Sequence, residues 1–181
     1  APRTMTAEEF DRILARLEGQ VQYVYLHVMG EPLLHPELSA LLALAGARGI
    51  KVCITTNGTL LQKRSGELLA AKSLHKVSVS LHSFEGNDGA DEQELAYLTQ
   101  VWDFAEQAAG KGVIVALRLW NDGGANARNG GILAFLRSRA GSGWPETRSG
   151  SFRLRDHLYL ERAGRFDWPD LSAGESGAQF C

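Results

Sequence analysis

Apolar positions along the chain follow two alternating rhythms, one of helical period and one of period two. Phe10, Ile13, Leu14 and Leu17 fall at i, i+3, i+4 and i+7, the stripe of a helix with one face in a core. Thr6 and Glu9 bracket its start as a capping box, and Gly19 marks its end. A strand is predicted over 21–28, closed by Met29-Gly30-Glu31-Pro32. The next helix opens at Pro36, carries Leu38, Leu41, Leu42 and Ala45 as its stripe, and stops at Gly49. A β-branched strand over 50–55 ends in the turn signal Thr56-Asn57-Gly58. Further on, the pattern predicts a helix over 61–71 and an alternating strand over 77–81 that runs into His82-Ser83. A long helix over 92–109 follows, with Leu95, Leu98, Trp102 and Ala105 on its inner face. A strand over 113–119, a helix over 132–139 and a last strand over 157–160 complete the pattern, and residues 165–179 show no periodicity.

Helices and strands therefore alternate. The first four strands start roughly 30 residues apart, the size of βα units, and crossovers of that length imply parallel, right-handed connections. The expected fold is α/β, a (β/α) barrel of parallel strands or a partial one. Residues 1–150 form its core, and 151–181 a last strand with a linker.

Residues i and i+2 of a strand share a face. Val24, Leu26 and Val28 thus oppose Tyr23, Tyr25, His27 and Met29, and Val52 and Ile54 oppose Cys53, Thr55 and Asn57. Val77, Val79 and Leu81 oppose Ser78, Ser80 and His82, while Leu117 and Leu119 oppose Ala116, Arg118 and Trp120. The aliphatic faces suit helix packing. The opposite faces turn polar toward the strands' C-terminal ends, where His27, Thr55, Asn57, Ser80, His82 and Arg118 collect. Such groups cost free energy when buried without partners, and a partly hydrated ligand pocket would supply them. Each one singly reads as structural; four strands doing the same at one end point to a ligand site, where open α/β sheets and barrels bind.

Composition narrows the classes. The chain has 181 residues, 44% of them hydrophobic and 22% charged, as in one soluble globular domain. A formal charge of −2 gives no support for nucleic-acid or membrane-surface binding. No run approaches the ~20 apolar residues of a membrane span, and no signal-peptide pattern opens the chain. The two cysteines, Cys53 and Cys181, form no CxxC motif. A reducing, cytoplasmic location is the expectation. No Gly-rich phosphate loop follows any strand.

Met29-Gly30-Glu31-Pro32 after a strand, then Thr55-Thr56-Asn57-Gly58-Thr59, then Ser80-Leu81-His82-Ser83 resemble, in that order, the core of radical S-adenosylmethionine (SAM) enzymes. The branch with a C-terminal SPASM-type extension for auxiliary iron–sulfur clusters is the most similar. The resemblance runs from about Arg3 to Asn121 and more loosely to Cys181. It implies that Gly30, Glu31 and Pro32 hold the amino group of SAM, a cation that wants acceptors and negative charge. It implies that Thr56, Asn57 and Ser80 line the SAM pocket, and that Arg118 pairs with the methionyl carboxylate. His27 and His82 would face the substrate. Most members have glycine where this chain has Met29.

The implied chemistry is reductive cleavage of SAM at a 4Fe–4S cluster, fed by an electron donor, to a 5′-deoxyadenosyl radical that abstracts hydrogen from a peptide or protein substrate. The family's cluster motif, CxxxCxxC, is absent from this sequence. The expectation is a fragment: first strand and cluster loop upstream, auxiliary-cluster region downstream, with Cys181 standing where auxiliary ligands begin. Two rivals stay open. One is a degenerate member that binds SAM or a partner without catalysis. The other is an unrelated barrel lyase or aldolase using Glu31 and His27 as acid and base.

Overall fold

A computed structural model describes residues 3–27, 30–81, 91–122 and 128–164. The first helix, α1 (Ala7–Leu17), starts as predicted: Thr6 Oγ1 accepts from Glu9 N at 3.2 Å, and Glu9 Oε2 accepts from Thr6 N at 3.0 Å. Phe10 and Leu14 enter the core, whereas Ile13 stays exposed. Strand β1 (Tyr23–Leu26) is shorter than expected. The cause is local, because Val21 N and Gln20 N both donate to Leu17 O in closing α1.

A single 3₁₀ turn (Pro32–Leu34) precedes α2 (Leu38–Ala47), so Pro36 lies in the connection rather than in the first helical turn. The four predicted stripe residues of α2 are all buried. At its end Ile50 N reaches Ala45 O and Gly49 N reaches Gly46 O, with Gly49 at φ +68°, the pattern of a Schellman stop. Strand β2 (Lys51–Thr56), helix α3 (Leu61–Ala70) and strand β3 (Leu74–Ser80) follow close to their predicted places.

Helix α4 (Asp91–Gly110) runs close to its predicted bounds, and three of its four expected inner residues, Leu98, Trp102 and Ala105, are buried. Leu95 is 56% exposed, and the buried stripe is Tyr97, Leu98, Val101, Trp102, Phe104, Ala105 and Ala108. Strand β4 (Ile114–Asp122) runs past Trp120, and α5 (Asn129–Ala140) follows. Two further strands, β5 (Phe152–Arg155) and β6 (Leu158–Gly164), form a hairpin of which only the second arm is predicted by the pattern. Its turn places His157 at φ +60°, where a non-glycine residue is uncommon.

Among the described residues, six strands make one open sheet in the order β1-β2-β3-β4-β6-β5. Pairings β1–β2, β2–β3, β3–β4 and β4–β6 are parallel, and only the edge strand β5 is antiparallel. The fold is thus the expected partial barrel, mostly rather than wholly parallel, and its sheet does not close on itself. Val52, Ile54, Val77, Val79, Leu117 and Leu119 pack in one core with Leu14, Leu42, Leu68 and Trp102 of the helices. Each such side chain contributes about 1.5–3 kcal/mol on leaving water. The opposite faces carry the polar residues, as alternation requires. The Thr56↔Val79, Val79↔Leu117 and Ser80↔Arg118 registers set the strand ends at one level.

Candidate cofactor site at the strand ends

Gly30 adopts φ +86°, which lets the chain leave β1 toward Glu31 without a Cβ penalty. Glu31 then caps the 3₁₀ turn, its Oε1 accepting from Leu33 N at 3.0 Å, with Pro32 at the first turn position. The same carboxylate reaches across to the end of β2. Its Oε1 also accepts from Thr56 Oγ1 at 2.7 Å, and its Oε2 from Asn57 N at 2.8 Å. Glu31 is therefore a bridge between two strand-end turns. Of about four acceptor positions on a carboxylate, the described residues fill three and leave one, on Oε2, open.

The second turn is self-tied. Thr56 Oγ1 accepts from Gly58 N at 3.0 Å, and Asn57 Oδ1 accepts from Thr59 N at 3.0 Å and Thr59 Oγ1 at 2.7 Å. Gly58, at φ +81°, lies against Val79 and the Tyr97 hydroxyl. From α4, Tyr97 donates its hydroxyl to Asn57 O at 2.7 Å. Arg64 of α3 steadies the first turn, donating from Nε to Leu33 O at 2.9 Å and from Nη2 to His35 O at 2.7 Å.

A second group sits on β3, β4 and β6. Ser80 is the register partner of Arg118, and Arg118 that of Glu161. Arg118 Nε donates to Glu161 Oε2 at 2.8 Å, Lys76 Nζ to Glu161 Oε1 at 3.0 Å, and the guanidinium lies 4.3 Å over the Trp120 ring. Burial pushes the Glu161 carboxyl up, but the Lys76 hydrogen bond and the Arg118 charge outweigh it and hold it below its ordinary value. Among the described residues, the two terminal nitrogens of Arg118 take no acceptor.

The predicted site residues thus fall into two sets. Gly30, Glu31, Pro32, Thr56 and Asn57 are joined directly, whereas Ser80 and Arg118 are adjacent on the next two strands. A cavity of about 640 Å³ beside β1 is lined by His27, Gly30, Glu31 and Pro32, with Tyr25 and His35. His82 and Cys181 lie outside the described residues. Tyr97, Arg64 and Glu161 carry no signal in the local pattern, because their partners are remote in sequence.

A profile of the Radical SAM superfamily matches residues 1–106, more than half of the chain. The chain belongs to that superfamily, whose members are enzymes. Among solved structures it is similar to archaeal TYW1, at 15% identity and TM-score 0.47 over 77% of this chain and 55% of that one. It is also similar to Streptococcus suis SuiB bound to S-adenosylmethionine, at 13% identity and TM-score 0.43 over 91% of this chain and 45% of that one. The chain spans about half the length of these structures. No curated protein matches it.

The superfamily implies SAM and a 4Fe–4S cluster, and the residues present fit these two groups unequally. An open carboxylate position on Glu31 and an unfilled guanidinium fork on Arg118 suit the ammonium and carboxylate of an amino acid. The cluster finds no such donors. Cys53 is buried within β2, where desolvation pushes its thiol up, and the sequence holds only one other cysteine. Among the described residues no group of three His, Cys, Asp or Glu converges on a metal position. No helix among them is long and apolar enough to cross a membrane.

Proposed function

We propose that the strand-end site binds the amino-acid half of SAM, as part of a radical SAM enzyme. The carrying observation is Glu31, a carboxylate fixed by three donors from two turns with one acceptor position left. That position, with the carbonyl groups of the Gly30–Pro32 turn, takes the methionyl ammonium. The Arg118 fork, fixed by Glu161 and Trp120, takes the methionyl carboxylate beside Ser80. Asn57 and Thr56 complete the lining. His27 takes the substrate side in this reading, and the same role is assigned on resemblance alone to His82, which lies outside the described residues.

Bound SAM would supply a 5′-deoxyadenosyl radical and release methionine on one-electron reduction at a 4Fe–4S cluster fed by an electron donor, and this chain's residues would hold and orient its amino-acid end. A peptide or protein substrate, an electron donor and an auxiliary cluster near Cys181 belong to the same reading, by analogy with the SPASM branch.

Titration calorimetry of the chain with SAM tests the assignment. Two charge-assisted anchors without iron predict a Kd of roughly 0.1–1 mM. Arg118→Gln should weaken SAM about tenfold and leave decarboxylated SAM unaffected. No heat with SAM, or equal loss for both ligands, would overturn it.

A further inference from the structure

The Asn57 turn is held from two sides, and Glu31 accounts for one of them. Two consecutive peptide planes are fixed by three side chains. Glu31 Oε2 accepts from Asn57 N, which belongs to the Thr56–Asn57 peptide. In the next peptide, Gly58 N donates to Thr56 Oγ1 while Asn57 O accepts from the Tyr97 hydroxyl. The Glu31 and Thr56 contacts come from the turns themselves. Tyr97 comes from α4 and is 6% exposed, packed among the core residues of that helix.

The Asn57–Gly58 plane can rotate only if the Asn57 carbonyl loses its Tyr97 contact, and the Gly58 N–H contact in the same plane turns with it. We propose that Tyr97 is the positioning residue of the pocket: its hydroxyl fixes the plane of the Asn57–Gly58 peptide and thereby the aim of Asn57 and of the Glu31 carboxylate. The proposal rests on the reading of the strand ends as a SAM site. Burial and the nearby Glu31 charge both push the Tyr97 phenol above its ordinary range, so it stays a neutral donor throughout the range in which the protein is handled. Gly58 answers the same constraint from the other direction. A Cβ there would lie 3.0 Å from the hydroxyl and 2.8 Å from Val79 Cγ1, so the close approach of Tyr97 to the turn requires glycine.

Tyr97→Phe keeps the ring and removes the donor. Without any ligand, the expected result is at least tenfold faster amide exchange at Asn57 and Gly58, with core amides of β2 and β3 unchanged. With SAM, the Kd should rise about five- to tenfold. A hydroxyl of purely structural value would lower the melting temperature and leave Kd and local exchange as they were, and that result overturns the proposal. So does faster exchange with an unaltered Kd. If the wild-type chain gives no heat with SAM, the cofactor assignment fails on its own, and the exchange rates alone then decide Tyr97: unchanged rates sink it. Tyr97→Met, which fills much of the same space without a donor, carries the test if the Phe variant does not fold.

Discussion

At the residue scale, Gly58 is fixed by two independent constraints, and they separate by substitution. Its φ of +81° penalises any L side chain, at about 1–2 kcal/mol. Its missing Cβ leaves room that Val79 Cγ1 and Tyr97 occupy, and Val79 is β-branched, wholly buried and stiff at χ1. Overpacking against such a wall costs about 1–3 kcal/mol more. Gly49 shares the positive φ, +68°, but nothing lies within 4 Å of its Cβ position. Gly49→Ala should therefore lower the melting temperature by roughly 2–6 °C and Gly58→Ala by roughly 5–15 °C, read by calorimetry. Equal shifts would mean that backbone strain alone explains both glycines.

At the element scale, Glu161 of β6 ties three neighbouring strands together through Lys76 of β3 and Arg118 of β4. Its folded-state carboxyl is held below its ordinary 4.5, despite the desolvation that opposes this. A depressed carboxyl contributes stability that is present above the unfolded value and is lost as pH falls through the folded one. Glu161→Gln should thus cost about 1–3 kcal/mol in urea unfolding at about pH 7, and the difference from wild type should close as pH falls through the depressed folded value. A gap that stays constant with pH would show that packing, not charge, is what the substitution removes. This network is also where sequence legibility stops. Alternation placed Arg118 on the polar face correctly, but its partners depend on strand register, which no local pattern encodes. The hairpin partner β5 was hidden for a related reason: Phe152-Arg153-Leu154-Arg155 alternates, yet the Asp156-His157 turn has no glycine to announce it. In α4, apolar residues at 95, 97, 98, 101, 102, 104 and 105 surround much of the helix, so periodicity found Leu98, Trp102 and Ala105 but set one edge of the buried face at Leu95 and left Tyr97 out. By contrast the Gly30-Glu31-Pro32 and Thr56-Asn57-Gly58 turns were legible, because glycine and proline act through local backbone conformation.

At the scale of the whole molecule, the parallel order β1-β2-β3-β4-β6 brings the ends of sequentially distant strands to one rim, so a pocket there draws each wall from a different βα unit. The rim as this chain builds it has acceptors and a guanidinium fork but not thiolates. A 4Fe–4S cluster of the superfamily's kind needs at least three thiolates on one loop. This chain offers Cys53, pinned within β2 with its thiol pushed up by burial, and Cys181 at the far end of the sequence. Two cysteines, one of them buried in the sheet, fall short of three thiolates on one loop. Anaerobic reconstitution of this chain with iron and sulfide should therefore leave it without stoichiometric cluster iron, while calorimetry still detects weak SAM binding that depends on Arg118. The two readouts are independent, since amino-acid recognition by Glu31 and Arg118 uses none of the atoms that would ligate iron. A full complement of cluster iron per chain would show that the fold admits a ligand set that neither the sequence motif nor the strand-end geometry contains.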